Sequence, residues 1–89
     1  MTLVSIVPIP ARVRWDREST QPTRIEWADS GAGVLALRAV RDERHAYPSG
    51  RGPRLTLDVE TQRGRIVVSW RPQQRRWFLE ALEEADAAA

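Results

Sequence analysis

LTLDVETQRGRIVVSWRPQQRRWFL, residues 55 to 79, carries the clearest period-two pattern in the chain. Leu55, Leu57 and Val59 alternate with Thr56, Asp58 and Glu60; beyond Thr61-Gln62-Arg63-Gly64, Ile66, Val68 and Trp70 alternate with Arg65, Val67 and Ser69. Successive side chains of a strand point to opposite faces, so the alternation predicts two half-buried strands joined by a turn. With that turn setting the register, Glu60 stands opposite Arg65, Val59 opposite Ile66, Leu57 opposite Val68 and Leu55 opposite Trp70. The apolar members then share one face, each contributing about 1.5 to 3 kcal/mol on full burial. This is a core-forming hairpin. Arg71-Pro72-Gln73-Gln74 supplies a turn with Pro at its second position, and a third, short strand is expected over Arg76 to Glu80.

Toward the N-terminus, Thr2 to Val7 is a β-branched apolar run stopped by Pro8 and Pro10, which cannot donate to a ladder, so it reads as a first strand or an extended arm at a sheet edge. Ala11 to Trp15 alternates Arg12 and Arg14 with Val13 and Trp15; after the polar Asp16 to Pro22, Thr23 to Trp27 repeats the device with Ile25 and Trp27 inward. Asp29 to Gly33 is a turn, and Val34 to Val40, apolar on both faces up to Arg38, is expected at the centre of the sheet. Arg41 to Arg54 breaks into charge, Gly and Pro, the composition of a solvated loop. At the far end Trp77, Leu79 and Ala81 alternate as in a strand, whereas Phe78, Leu82 and Ala85 fall at helical spacing among strong helix formers. The expectation is a single antiparallel β domain over 1–82, followed by a short helical or frayed, acidic and Ala-rich tail over 83–89.

A chain of 89 residues holds one modest core. All 14 basic residues are Arg, with no Lys and no Asn, and a GC-rich codon bias explains this more simply than selection for guanidinium chemistry. The absence of Cys excludes disulfides, thiolate catalysis and cysteine zinc sites. Met1 to Pro10 has neither a basic n-region nor an apolar run of signal or membrane length, so a soluble, cytoplasmic protein without membrane association is expected.

Catalytic signatures are missing. His45 is the sole histidine; beside Asp42 and Glu43 it lacks the further ligands a metal site needs, and Ser49 near it has no oriented base or third group. Gly31-Ala32-Gly33 and Gly50-Arg51-Gly52 are too short to cradle phosphate. Asp58 and Glu60 share a strand face, where pairing with Arg65 on an exposed surface accounts for them. The reading is therefore of a protein that is not an enzyme and needs no cofactor or metal.

Four Trp remain. Trp15, Trp27 and Trp70 fall on apolar phases and are expected in the core, whereas Trp77 lies in Arg75-Arg76-Trp77-Phe78, close to Trp70-Arg71. Interleaved Arg and aromatic side chains are the chemistry by which single-stranded nucleic acid is stacked and its phosphates neutralised, so Arg71, Arg75, Arg76 and Trp77 form the candidate nucleic-acid site. Charge placement agrees. Residues 1–79 hold every Arg against eight acids, while Glu80, Glu83, Glu84 and Asp86 make the end acidic.

The order of these features, Pro8-Ile9-Pro10-Ala11-Arg12-Val13, the Pro22 to Trp27 strand, Ala36 to Asp42, the Val59 to Gly64 hairpin and the closing Arg76-Trp77-Phe78-Leu79, resembles a small bacterial domain family of unknown function. Its members occur free-standing or at the C-terminus of mutagenesis accessory proteins that are like Y-family polymerases; the resemblance spans about residues 8 to 82. It implies a compact antiparallel sheet curled toward an SH3-like half barrel, in a DNA-repair setting. Two functions follow as expectations. One is a small binding module for single-stranded nucleic acid or a DNA-repair protein. The alternative is a protein-interaction module, working through an exposed edge near Met1 to Val7 by strand addition or as a homodimer.

Overall fold

The computed structural model describes residues 2–43 and 55–84. The described chain forms six strands and no helix: β1 (Thr2–Trp15), β2 (Pro22–Trp27), β3 (Ser30–Asp42), β4 (Leu55–Thr61), β5 (Gly64–Arg71) and β6 (Arg76–Glu84). They run antiparallel in chain order around a small SH3-like barrel, and β6 returns to pair with β1, so the curl expected to stop at a half barrel closes into a ring of strands. Among the described residues no helix is long and apolar enough to cross a membrane.

The β4–β5 hairpin has the register its alternation predicts, from Thr61 opposite Gly64 to Leu55 opposite Trp70. Gly64 sits at φ 102°, a backbone region that side chains disfavour, and the buried Thr61 hydroxyl satisfies the turn, donating to the Gly64 carbonyl at 2.8 Å and accepting from the Arg63 amide at 3.0 Å. Leu57, Val59, Ile66 and Val68 are fully buried, while Leu55 and Trp70, at the barrel's end, are half-buried. With Ala11, Val13, Ile25, Ala32 and Leu79 they make the core.

Four expectations change. β1 is one strand, not two, because a register shift between Ser5 and Ile9 accommodates Pro8 where its missing N–H breaks the ladder. β3 is not central: only Ser30 to Gly33 pair with β2 and only Val34 to Asp42 pair with β4, so its second half is an edge, with Leu35 66% and Val40 51% exposed. β6 continues past Glu80 to Glu84, since pairing with both β1 and β5 outweighs the helix propensity of its Ala, Leu and Glu. Arg41 and Asp42, placed in the loop by composition, end β3; the rest of that predicted loop from residue 44, with His45 and Ser49, and the tail from residue 85 lie outside the described residues.

Candidate nucleic-acid interface

Chain-order closure of the barrel brings the tryptophans together. Ala11 on β1 stands opposite Trp27 on β2 and opposite Trp77 on β6, and Trp77 stands opposite Trp70 on β5. Residues paired across neighbouring strands share a face, so Trp27, Ala11, Trp77 and Trp70 form one row across four strands, with the small Ala11 leaving space between large rings. The row borders a groove of about 490 Å³, lined by Arg12, Trp27, Trp70, Arg75, Arg76 and Trp77. Trp70 and Trp77 meet edge to face with centroids 5.7 Å apart, and Trp77 in turn meets Trp15 at 6.1 Å with a 46° tilt.

The groove is basic. Arg12, Arg75 and Arg76 are exposed, and among the described residues no carboxylate lies within ion-pair distance of any of them. Glu26, the groove's one acid, is already claimed: Arg14 Nε donates to it at 2.5 Å, and Arg24 lies at 3.9 Å. The Arg14 hydrogen bond, with the charges of Arg14, Arg24 and Arg12, holds the Glu26 carboxyl below its ordinary range, so it stays ionised but neutralised. Aromatic pockets can cage a quaternary ammonium, but three guanidiniums without an ion-pair partner repel a cation and favour an anion that carries planar groups.

Two backbone features shape the rim. Ala28, in the β2–β3 turn, has φ 47°, and Arg75, in the β5–β6 turn, has φ 54°; both line the groove. The Arg75 amide donates to the Arg71 carbonyl at 2.9 Å, which closes that turn and fixes where its guanidinium begins. Left-handed non-glycine residues cost about 1 to 2 kcal/mol each, and such strain gathers where geometry serves a site.

Of the four residues expected to form the site, the structure brings Arg75, Arg76 and Trp77 together and places Arg71 elsewhere. Arg71 is half-buried on the other face of β5, where its Nη2 donates to Glu80 at 2.7 Å and its guanidinium lies over Phe78, 5.1 Å from the ring centroid. Glu80 is unpaired in a register shift of β6 and also accepts from the Ser69 hydroxyl at 2.5 Å. Arg12, Trp27 and Trp70 line the groove without having been expected there. Trp15, expected in the core, is 44% exposed. The Arg12 to Trp15 alternation was visible in the sequence; its meeting with Trp77 depends on the pairing of first and last strands, which no local pattern encodes.

The chain matches no family model, no curated protein and no solved structure.

A second depression, of about 370 Å³, lies over the row Ser5, Ala81, Val67, Asp58 and Ala39. Its acids are engaged, Asp58 by Arg65 and Glu80 by Arg71 and Ser69, so it concentrates neither sign of charge. Among the described residues no cluster of His, Asp and Glu could hold a metal ion.

Proposed function

We propose that the protein is a small, non-enzymatic module that binds single-stranded nucleic acid in the Trp and Arg groove, with little preference among sequences. The observation that carries this reading is the meeting of Arg12, Arg75 and Arg76, none with a carboxylate partner among the described residues, with Trp27, Trp70 and Trp77 in one groove. Stacking is tolerant of base identity because every base has a π-face, and three guanidiniums neutralise about three phosphates, giving a log-log salt slope near −2 for a single strand. A DNA-repair setting rests on the family resemblance alone.

The rival reading, strand addition at a sheet edge, has two candidate templates: Thr2 to Pro10 of β1, which pairs only with β6, and Leu35 to Asp42 of β3, which pairs only with β4. Each carries features that discourage added strands. The first has Pro8, Pro10 and a register shift; the second has two register shifts and the charges of Arg38, Arg41 and Asp42. These features favour the groove over the edges.

The test is an oligonucleotide titration at low salt with the parent and with the double variant Arg75→Glu and Arg76→Glu. Both are exposed turn and strand-end residues, so thermal stability should change little while the groove's charge reverses. Loss of binding in the double variant supports the proposal; equal binding in both proteins, or none in either, ends it.

A further inference from the structure

Resting on that reading, we infer that Trp15, which lies outside the groove's lining, is the residue on which a base of the bound strand stacks, and that Trp77 is the positioning residue that holds its ring. The three touching tryptophans are not equivalent. Trp77 lies between the other two, with Trp70 5.7 Å away at 61° and Trp15 6.1 Å away at 46°. Neither gap is parallel-sided, so a base cannot slide between the rings. Trp77 and Trp70 are half-buried; Trp15, by contrast, is 44% exposed at the end of its strand. It is the one exposed member of the trio.

The backbone around Trp15 is built to hold that pose. At this point β2 carries one extra residue, since Arg14 stands opposite Arg24 and Trp15 opposite Pro22, and the spare Thr23 hydroxyl donates to the Arg14 carbonyl at 3.2 Å. Such bulges add twist and re-aim side chains beside functional sites. Trp15 falls on the same phase as buried Val13, yet its ring leaves the core at the bulge and rests on Trp77. The loop that follows is tied down by Asp16, which bonds the Glu18 amide, the Ser19 hydroxyl and, through its backbone, Gln21 and Thr20. A ring already fixed by its neighbours loses little freedom when a base covers it. Arg12, Arg76 and Trp77 line one groove, so guanidiniums for the flanking phosphates are carried by β1 and β6, the strands that also carry Trp15 and Trp77.

The experiment pairs two anions. A fluorescein-labelled oligothymidylate offers phosphates and bases; inorganic polyphosphate, used as a competitor, offers charge without bases. Trp15→Ala should weaken oligothymidylate binding about 5- to 150-fold, the range for losing one base stack, and leave polyphosphate binding at the parent value. Trp15→Phe should recover most of the loss, and the Arg75→Glu, Arg76→Glu double variant should weaken both ligands. Unchanged oligothymidylate binding by Trp15→Ala, or an equal loss for both anions, overturns the role of Trp15 while leaving nucleic-acid binding in place. Failure of the parent to bind oligothymidylate at all removes the function itself, and with it this inference.

Discussion

Arg65 and Asp58 are joined diagonally across the β4–β5 hairpin, not straight across it. Glu60 is the residue opposite Arg65, yet the Arg65 Nε donates to Asp58 at 2.8 and 3.1 Å and its Nη2 bonds the same carboxylate, while Glu60 accepts from Arg38 on β3 at 2.6 Å. Diagonal neighbours of this kind are within reach of a long side chain. Asp58 is 6% exposed and Arg65 half-buried, so the carboxylate is covered in a surface depression and does not stand on the open face its alternation suggested. Arg65 holds the Asp58 carboxyl below its ordinary value by hydrogen bonding, with the charges of Arg65, Arg38 and Arg41 adding to the effect against burial.

The sign of the pH dependence follows. A carboxyl with a depressed folded pKa stabilises fully above its unfolded value, about 3.9 for Asp, and loses that contribution as pH falls through the lower folded value. Denaturant unfolding should show the parent losing stability more steeply than Asp58→Asn as pH drops below about 4. Arg65→Met, which leaves the Asp58 carboxylate without its hydrogen-bonded cation, should lower stability at neutral pH and lose less, or even recover, on acidification. Parallel pH profiles for the three proteins would contradict the assignment.

Leu57, 1% exposed and opposite Val68, anchors the hairpin in the core. Leu57→Ala should therefore cost about 2 to 5 kcal/mol, read as a lowered denaturation midpoint with an unchanged denaturant slope. Tolerance of this change would mean that the hairpin does not hold the barrel together.

Ala28 tests whether the groove's rim is strained. Glycine relieves a left-handed conformation costing about 1 to 2 kcal/mol and gives back about 0.4 to 1 kcal/mol through a freer unfolded chain. Ala28→Gly should consequently raise the thermal midpoint by a few degrees, since about 1 kcal/mol moves it 4 to 8 °C in a domain of this size. A lower midpoint would show that the φ of 47° is not a strain the fold carries.

Arg71 separates position in the sequence from position in the fold. It belongs to the same basic turn as Arg75 and Arg76 but is spent on Glu80. Arg71→Gln should reduce stability by about 1 kcal/mol and leave oligonucleotide binding and its salt slope near the parent's. Arg76→Gln should do the reverse, reducing the slope by about 0.7. Matching effects of the two substitutions on binding would place Arg71 in the interface after all.

Most of the fold was legible wherever one strand follows another with an uninterrupted two-residue period. The hairpin's register, down to Leu55 opposite Trp70, came from alternation and one turn. Periodicity failed where the strands bulge. Leu82, grouped with Phe78 and Ala85 by its helical spacing, instead faces the core with Leu79: the register shift at Glu80 lets Leu79 stand opposite Val68 and Leu82 opposite Ile66. Two further shifts in β3 gave its apolar run the look of a central strand although half of it is an edge. The site was legible only in its contiguous part, Arg75-Arg76-Trp77. Arg12 reaches it, and Trp15 reaches Trp77, through the pairing of first and last strands, and Arg71, although it stands opposite Arg76, leaves it because Glu80 holds its guanidinium over Phe78.

The meeting of β1 with β6 also governs the route by which the protein forms. Thr2 to Ser5 pair with Ala81 to Glu84, so the ring cannot shut until nearly the whole described chain has left the ribosome. Before then the early strands expose unfilled ladder positions, and the long search that joins distant segments places such a topology among slow folders, on the order of milliseconds to seconds. The Pro8 and Pro10 that interrupt the first strand thus sit where a nascent chain most needs protection, on the stretch that waits longest for its partner.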